Sequence, residues 1–231
     1  MKRVISIQIT IDGPAGAGKS TIAKMIANRL HFLHIDTGAM YRVITYHAMQ
    51  ENISLDSEED LVKLTATTKI KMEQQTNGVK KVYCNNLDVS QEIRDPIISK
   101  NVSKVAILPK VRQELVRMQR ELAQNNDVVM DGRDAGTVIL PDAECKIFLT
   151  ASLDERANRR YLELQQRGYN DTLDFVKEDL ARRDYIDENR AASPLKPASD
   201  AVIVDTTSLN PEGVVQEILR IYQEKKEEKN K

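Results

Sequence analysis

Gly13-Pro14-Ala15-Gly16-Ala17-Gly18-Lys19-Ser20 fits the spacing G-x-x-x-x-G-K-[S/T], and Thr21 follows it directly. Glycines at these intervals let successive backbone N–H groups converge on the oxygens of an anion. A helix beginning at Lys19 would add the partial positive charge of its N-terminus. Lys19 is placed to reach β- and γ-phosphates, and the Ser20 hydroxyl to ligate Mg²⁺. The apolar run from Val4 to Ile11 ahead of the loop reads as a buried strand. Ile22, Met25, Ile26 and Leu30 behind it mark one face of a helix. Strand, loop and helix start come in the order a nucleoside triphosphate site requires.

Three other polar clusters share that logic. Asp36-Thr37-Gly38 ends an apolar run and precedes Arg42, which can hold a phosphate bidentately. As structure alone, the same triplet is a turn with a helix N-cap. Asp131-Gly132-Arg133-Asp134 closes another apolar run, so Asp131, or Asp36, could orient Mg²⁺ through water. The adjacent Arg133 and Asp134 could also be no more than an exposed ion pair. On a helix begun near Thr172, positions 176, 180, 183, 187 and 190 share a stripe that changes from Val176 and Leu180 to Arg183, Asp187 and Arg190. That stripe suits a helix leaving the core to meet a polar ligand, or a solvated salt-bridged face. Arg156, Arg159, Arg160 and Arg167 precede a Gly168-Tyr169-Asn170 loop, as arginines of a closing lid would, or as a solvated helix would.

The elements that must position these groups read as α/β. Segments 4–11, 31–35, 128–131, 146–149 and 201–205 are apolar and separated by helix-period stretches, the pattern of a parallel five-stranded sheet flanked by helices. Helices are expected over 110–125 and 153–167, the latter with a Ser152/Glu155 capping box and Gly168 as its left-handed terminator. A last helix starts near Asn210-Pro211, buries Val214, Ile218 and Tyr222, and frays from Lys225 to Lys231. The segment 64–104 breaks the rhythm. Asn77-Gly78 between alternating stretches predicts a hairpin, a strand continues through Cys84, and a helix follows Pro96. This is a small antiparallel insertion. His31 and His34 fall on opposite faces of one expected strand and read as core or edge residues.

Lys and Arg total 34 against 35 Asp and Glu, a formal charge of -1 that gives no reason to expect nucleic acid. Cys84 and Cys145 stand apart without a C-x-x-C and read as small core residues. No apolar run approaches the ~18 residues of a membrane span. The expectation is a cytoplasmic protein, with nothing requiring more than a monomer. No glycine has Asp three residues before it and N-K-x-D is absent, which argues against a GTPase switch. A small-acceptor transferase is the class left, with a slow nucleotide sensor as the non-enzyme reading.

GPAGAGKST at 13–21, IDTGAMYR at 35–42, SKVAILPKVR at 103–112, DGRDAGTVILPDA at 131–143, the run from Arg183 to Leu195 and DAVIVDT at 201–207 together resemble the bacterial cytidylate kinases of the nucleoside monophosphate kinase group. The resemblance implies a P-loop domain of core (about 1–63, 105–150, 195–231), CMP-binding insertion (about 64–104) and helical lid (about 151–194). It implies ATP phosphates on residues 13–21 with Arg156 and Arg160, and cytosine contacts from Thr37, Ser103, Arg112 and Asp134. Arg42, Arg133 and Arg190 would take the CMP phosphate, and Arg183 with Asp187 the ribose. Lys19, Arg133, Arg183 and Arg190 would stabilise transfer from ATP to CMP or dCMP, with Mg²⁺. The chemistry agrees: cytosine offers an amino donor and an unprotonated ring nitrogen, which a carboxylate and an arginine complement.

Overall fold

Ile9 and Ile11 of β1 (Gln8–Asp12) are fully buried, and so is Thr10 between them, because this strand is covered on both faces. The computed structural model describes residues 6–74 and 80–229. It divides the chain into two units, 1–34 with 125–231, and 35–124.

The first unit is built on a five-stranded sheet in the order β2-β6-β1-β7-β8. Its strands are β1, β2 (Leu33–Asp36), β6 (Val128–Gly132), β7 (Cys145–Thr150) and β8 (Val202–Asp205). The chain passes into the second unit within β2, at Ile35. β1 pairs in parallel with β6, Ile9 opposite Val129 and Ile11 opposite Asp131, and with β7, Ile11 opposite Ile147. β1 is therefore central, with β2 and β6 on one side and β7 and β8 on the other. The loops leaving the carboxyl ends of β1 and β6 are those carrying the motif residues, where such sheets bind ligands.

Helices α1 (Lys19–Leu30) and α8 (Pro211–Lys229) share one core with the sheet. Ile22 and Ile26 of α1 meet Val214, Ile218 and Tyr222 of α8 there. Each such fully buried aliphatic side chain contributes about 1.5–3 kcal/mol. Helices α6 (Leu153–Gln166) and α7 (Leu173–Asn189) pack together around Ala157, Leu164, Val176 and Leu180. α6 ends in a Schellman motif. Gly168, at φ +83°, donates its N–H to Gln165, and Tyr169 donates to Leu164 and packs on that core.

In the second unit, α2 (Thr37–Gln50), α3 (Glu58–Thr67), α4 (Pro96–Ala106) and α5 (Pro109–Ala123) bury Met40, Ile44, Leu61, Val105 and Leu115 together. β3 (Ile70–Gln74), β4 (Lys80–Cys84) and β5 (Leu87–Asp88) form an antiparallel sheet. Val82, Cys84 and Val89 pack there with Ala39, Val43 and Ile93. Asp95 caps α4 through the Ile97 N–H, with Pro96 at the first helical position.

All five expected parallel strands are present, with shifted ends. The second begins at Leu33, because His31 adopts a left-handed conformation (φ 58°) that terminates α1. His31 is thus a helix cap and not a strand residue. The expected helix over 110–125 runs Pro109–Ala123, and α8 continues to Lys229 where fraying from Lys225 was expected. Arg220, pairing with Glu217 and Glu224 at helical spacing, supports that last stretch. Of the capping box, the Ser152 half is observed; the Glu155 carboxylate accepts instead from Arg159. The Asn77-Gly78 turn lies outside the described residues. Cys84 and Cys145 are both buried and unpaired.

Gly13 has φ +147°, and a Cβ there would run into the Leu149 carbonyl of β7. Gly13→Ala should lower unfolding free energy by about 2–4 kcal/mol in urea titrations. Gly168→Ala, where nothing lies within 4 Å, should lose only about 1 kcal/mol.

Candidate active site

Gly18 is the N-cap of α1 in a left-handed conformation, and no acidic residue occupies the helix's first turn. The N-terminal N–H groups of α1 thus face outward with no side-chain cap, as an anion site requires. Lys19 is 6% exposed and its Nζ donates to the Pro14 carbonyl at 2.6 Å. Burial, then the neighbouring Arg133, pushes its pKa down to about 7. Phosphate oxygens would oppose both causes.

Ser20 Oγ donates to Asp131 Oδ2 at 2.5 Å, and His34 Nε2 lies 2.7 Å from the other carboxylate oxygen. Both Asp131 and His34 are buried. His34 is buried in the edge strand β2, as expected, and there it also orients the acid beside the phosphate loop. These oxygen donors fit a hard divalent cation. Among the described residues no group of three or more His, Cys, Asp or Glu could hold a metal. A cation here would complete its shell with phosphate and water oxygens, as Mg²⁺ does. Asp36 is otherwise engaged, accepting from the Ala39 N–H at 2.9 Å as the N-cap of α2.

Arg133 and Asp134 do not form an exposed pair with each other. Arg133 Nε donates to Asp187 at 2.8 Å, Arg190 lies 3.7 Å from Asp134, and Arg190 and Asp187 are 3.5 Å apart. The stripe on α7 is accordingly buried at Asp187 and at Arg190, which follows the helix, and is no solvated face. Burial opposes ionisation of Asp187, but Arg133 and Arg190 outweigh it and hold its pKa below the usual range. Burial, with Arg133 nearby, pulls the Arg183 pKa down. The result is an alternating chain Asp134–Arg190–Asp187–Arg133 with Arg183 as an additional, largely desolvated cation.

The arginines of α6 and of its C-cap separate into distinct roles. Arg156 is buried: it donates to the Ala151 and Ala15 carbonyls at 3.0 Å and pairs with Asp184. Arg159 donates to Glu155, Thr206 Oγ1 and the Thr206 carbonyl. Arg160 pairs with Glu163, and the Arg167 guanidinium sits over the Tyr169 ring.

In the second unit Thr37 is buried at the start of α2. Arg42 Nη1 donates to Ser99 Oγ at 2.7 Å and to the Ile93 carbonyl at 3.3 Å. Arg112 is buried on α5, donates to the Ala106 carbonyl and lies 5.3 Å from the Tyr41 ring centroid. Ser103 sits on α4, half-buried.

Sequence reasoning assigned no partner role to His34, Asp184 or Asp12. Asp12, at the end of β1, accepts from the Ala135 and Gly136 N–H groups at 2.8 and 2.7 Å, tying β1 to the turn that carries Arg133 and Asp134. An acid immediately before the glycine loop was the available signal. Burial raises its pKa to about 6 despite those donors.

The sequence matches the family described as Cytidylate kinase over residues 9–224. It is 51% identical over 222 residues to the cytidylate kinase of Desulfitobacterium hafniense, covering 96% of this chain and 95% of that one. It is 51% identical over 215 residues to that of Bacillus cereus, covering 93% and 95%. A crystal structure of an uncharacterized protein from Eubacterium ventriosum superposes with TM-score 0.51 over 94% of this chain and 99% of the other. At 11% identity that shows a common fold alone.

Between its unfolded value of 3.8 and about 6, Asp12 is protonated only in the folded state. Its contribution to stability therefore falls as pH rises through that window, by on the order of 3 kcal/mol. Urea unfolding from pH 3.5 to 7 should show the wild type losing stability relative to Asp12→Asn across that window. A pH-independent difference between the two would contradict it.

Proposed function

We infer the residue roles below for a chain that belongs to the cytidylate kinase family. It transfers the γ-phosphoryl group of ATP to CMP, giving CDP and ADP. In our reading dCMP serves as well.

Residues 13–21 hold the ATP phosphates, and Lys19 neutralises charge as the phosphoryl group moves. Arg156 and Arg160 serve the ATP side, Arg156 by supporting the loop from behind. Arg42, Arg133 and Arg190 take the acceptor phosphate, and Arg183 with Asp187 the ribose hydroxyls. Thr37, Ser103, Arg112 and Asp134 recognise cytosine. Mg²⁺, held by Ser20 and through water by Asp131, supplies charge neutralisation at the phosphates of ATP when bound. The insertion at 64–104 belongs to acceptor binding, and 151–194 acts as a lid that keeps water from competing as acceptor. The reaction runs in the cytoplasm on a monomer, with no nucleic-acid or membrane partner. No helix among the described residues is long and apolar enough to cross a membrane.

The observation that carries these assignments is the buried alternation of Asp134, Arg190, Asp187 and Arg133, on the unit that also holds the phosphate loop. Each arginine there is held in a fixed direction before any ligand arrives, and preorganised charge is what phosphoryl transfer needs. No general base is required. The second ionisation of a phosphate monoester has a pKa near ~6, so the acceptor arrives largely ionised at neutral pH. Catalysis reduces to alignment of the two nucleotides and stabilisation of charge on the transferring group.

A coupled ADP-release assay offering CMP, dCMP, UMP, AMP and shikimate should give turnover fastest with the two cytosine nucleotides. Equal ADP release without any acceptor would instead mark a slow nucleotide sensor. Asp134→Ala should raise the KM for CMP about 10- to 100-fold, the loss expected for one charged hydrogen bond, with the KM for ATP nearly unchanged. Loss of ATP binding in that variant would show that Asp134 is not an acceptor-binding residue.

A further inference from the structure

We propose that Arg156 and Asp184 are positioning residues that join the phosphate loop to α7 through Ala15, so that filling the loop and filling the acceptor site are energetically coupled. This rests on the reading that Arg183, Asp187 and Arg190 bind the acceptor.

Ala15 is held by everything it has. Its N–H donates to Asp184 Oδ1 at 3.1 Å, its carbonyl accepts from Arg156 Nη1 at 3.0 Å, and its methyl packs in the α6–α7 core. Arg156 and Asp184 are themselves paired and buried, and Arg156 Nε is fixed on the Ala151 carbonyl at the end of β7. A side chain at Gly16 would come within 3.1 Å of Arg156, so loop and helix are in close contact.

The peptide that joins Pro14 to Ala15 is the critical link. Its carbonyl accepts from Lys19 Nζ at 2.6 Å, and its N–H donates to Asp184. Both groups belong to one planar unit. A continuous hydrogen-bonded chain thus runs from Lys19 through that peptide to α7. When Lys19 turns from the Pro14 carbonyl to a phosphate oxygen, the same peptide loses the bond that polarised it and fixed its plane. Asp184 must respond.

On α7, Asp184 directly follows Arg183 and lies one turn before Asp187, about 4.5 Å along a rigid helix. Asp187 in turn holds Arg133 and Arg190. A shift at Asp184 therefore reaches each acceptor residue of that network without crossing a flexible segment. By reciprocity, an acceptor that draws these groups together favours the loop form that receives phosphate.

The test is the dissociation constant of CMP measured by calorimetry with and without the unreactive analogue β,γ-imido ATP, beside thermal unfolding of each protein. In the wild type the analogue should tighten CMP binding at least about fivefold, within the usual range of site-to-site coupling. In Asp184→Ala that ratio should fall to within about twofold of unity. Asp184→Asn keeps an acceptor for the Ala15 N–H but loses the charge that holds Arg156. It should lose most of the coupling, and it serves where the alanine variant does not fold. A brace that only stabilises the fold would lower the melting temperature and leave the ratio intact, which overturns the proposal. So does a wild type with no coupling. Wild-type turnover of CMP is measured in parallel: its absence would reject the functional reading itself, whereas its presence beside undiminished coupling in a folded variant rejects only the link through Ala15.

Discussion

Lys19 is an ammonium group with almost no access to water and a guanidinium for a neighbour, and the first unit is arranged around that constraint. Displacing its pKa from 10.5 to about 7 corresponds to roughly 5 kcal/mol of unfavourable environment. Direct ion pairing would remove the penalty and also remove the reason to bind an anion. Instead its Nζ rests on a loop carbonyl, while Asp131, Asp187 and Asp12 act on it from greater range. Those three acids are each committed elsewhere: Asp131 to Ser20 and His34, Asp187 to Arg133, Asp12 to two backbone N–H groups. The lysine is kept in place without a direct ion pair, and a triphosphate is the partner that can complete it and restore its charge.

The same arrangement explains why cations concentrate here without the unit repelling itself apart. Arg133 is half-buried, and its loss of water alone would favour the neutral form, but Asp187 outweighs that and keeps it charged. At Arg183 the acids Asp179 and Asp187 do not offset burial and the charge of Arg133, and its pKa falls. The turn after β6 thus carries an arginine whose charge is compensated, Arg133, and α7 carries one whose charge is not, Arg183. The compensated group provides fixed geometry. The uncompensated one provides attraction for an incoming anion.

What could be read from the sequence is what depends on neighbours along the chain. The glycine loop, its strand and its helix are contiguous, so spacing alone placed Gly13, Lys19 and Ser20, and the helix starts near Thr172 and Pro96 were equally local. The partners of those residues were not legible, because they arrive through strand register and helix packing. His34 meets Asp131 across 97 residues, and Ala15 meets Asp184 across 169. Periodicity put the charged end of α7 in view, but only tertiary contact separates a buried alternating network from a solvated face. His31 was misassigned for a different reason: a left-handed cap is a single-residue conformational choice that leaves no periodic trace. The extent of α8 was underestimated because a charged terminus resembles a disordered tail unless the pairing at helical spacing is weighed.

The strand order carries a consequence for biogenesis. β1 finds both of its partners late, Gln8 opposite Val128 and Ile9 opposite Cys145, so this strand has neither neighbour until some 120 further residues have been made. The segment 35–124, by contrast, is contiguous and closes its own cores. On the ribosome it can become native first, while the apolar β1 waits in its unpaired state. Joining segments so distant in sequence is entropically slow. The phosphate loop is thus encoded ahead of the strands that fix it and assembled after them.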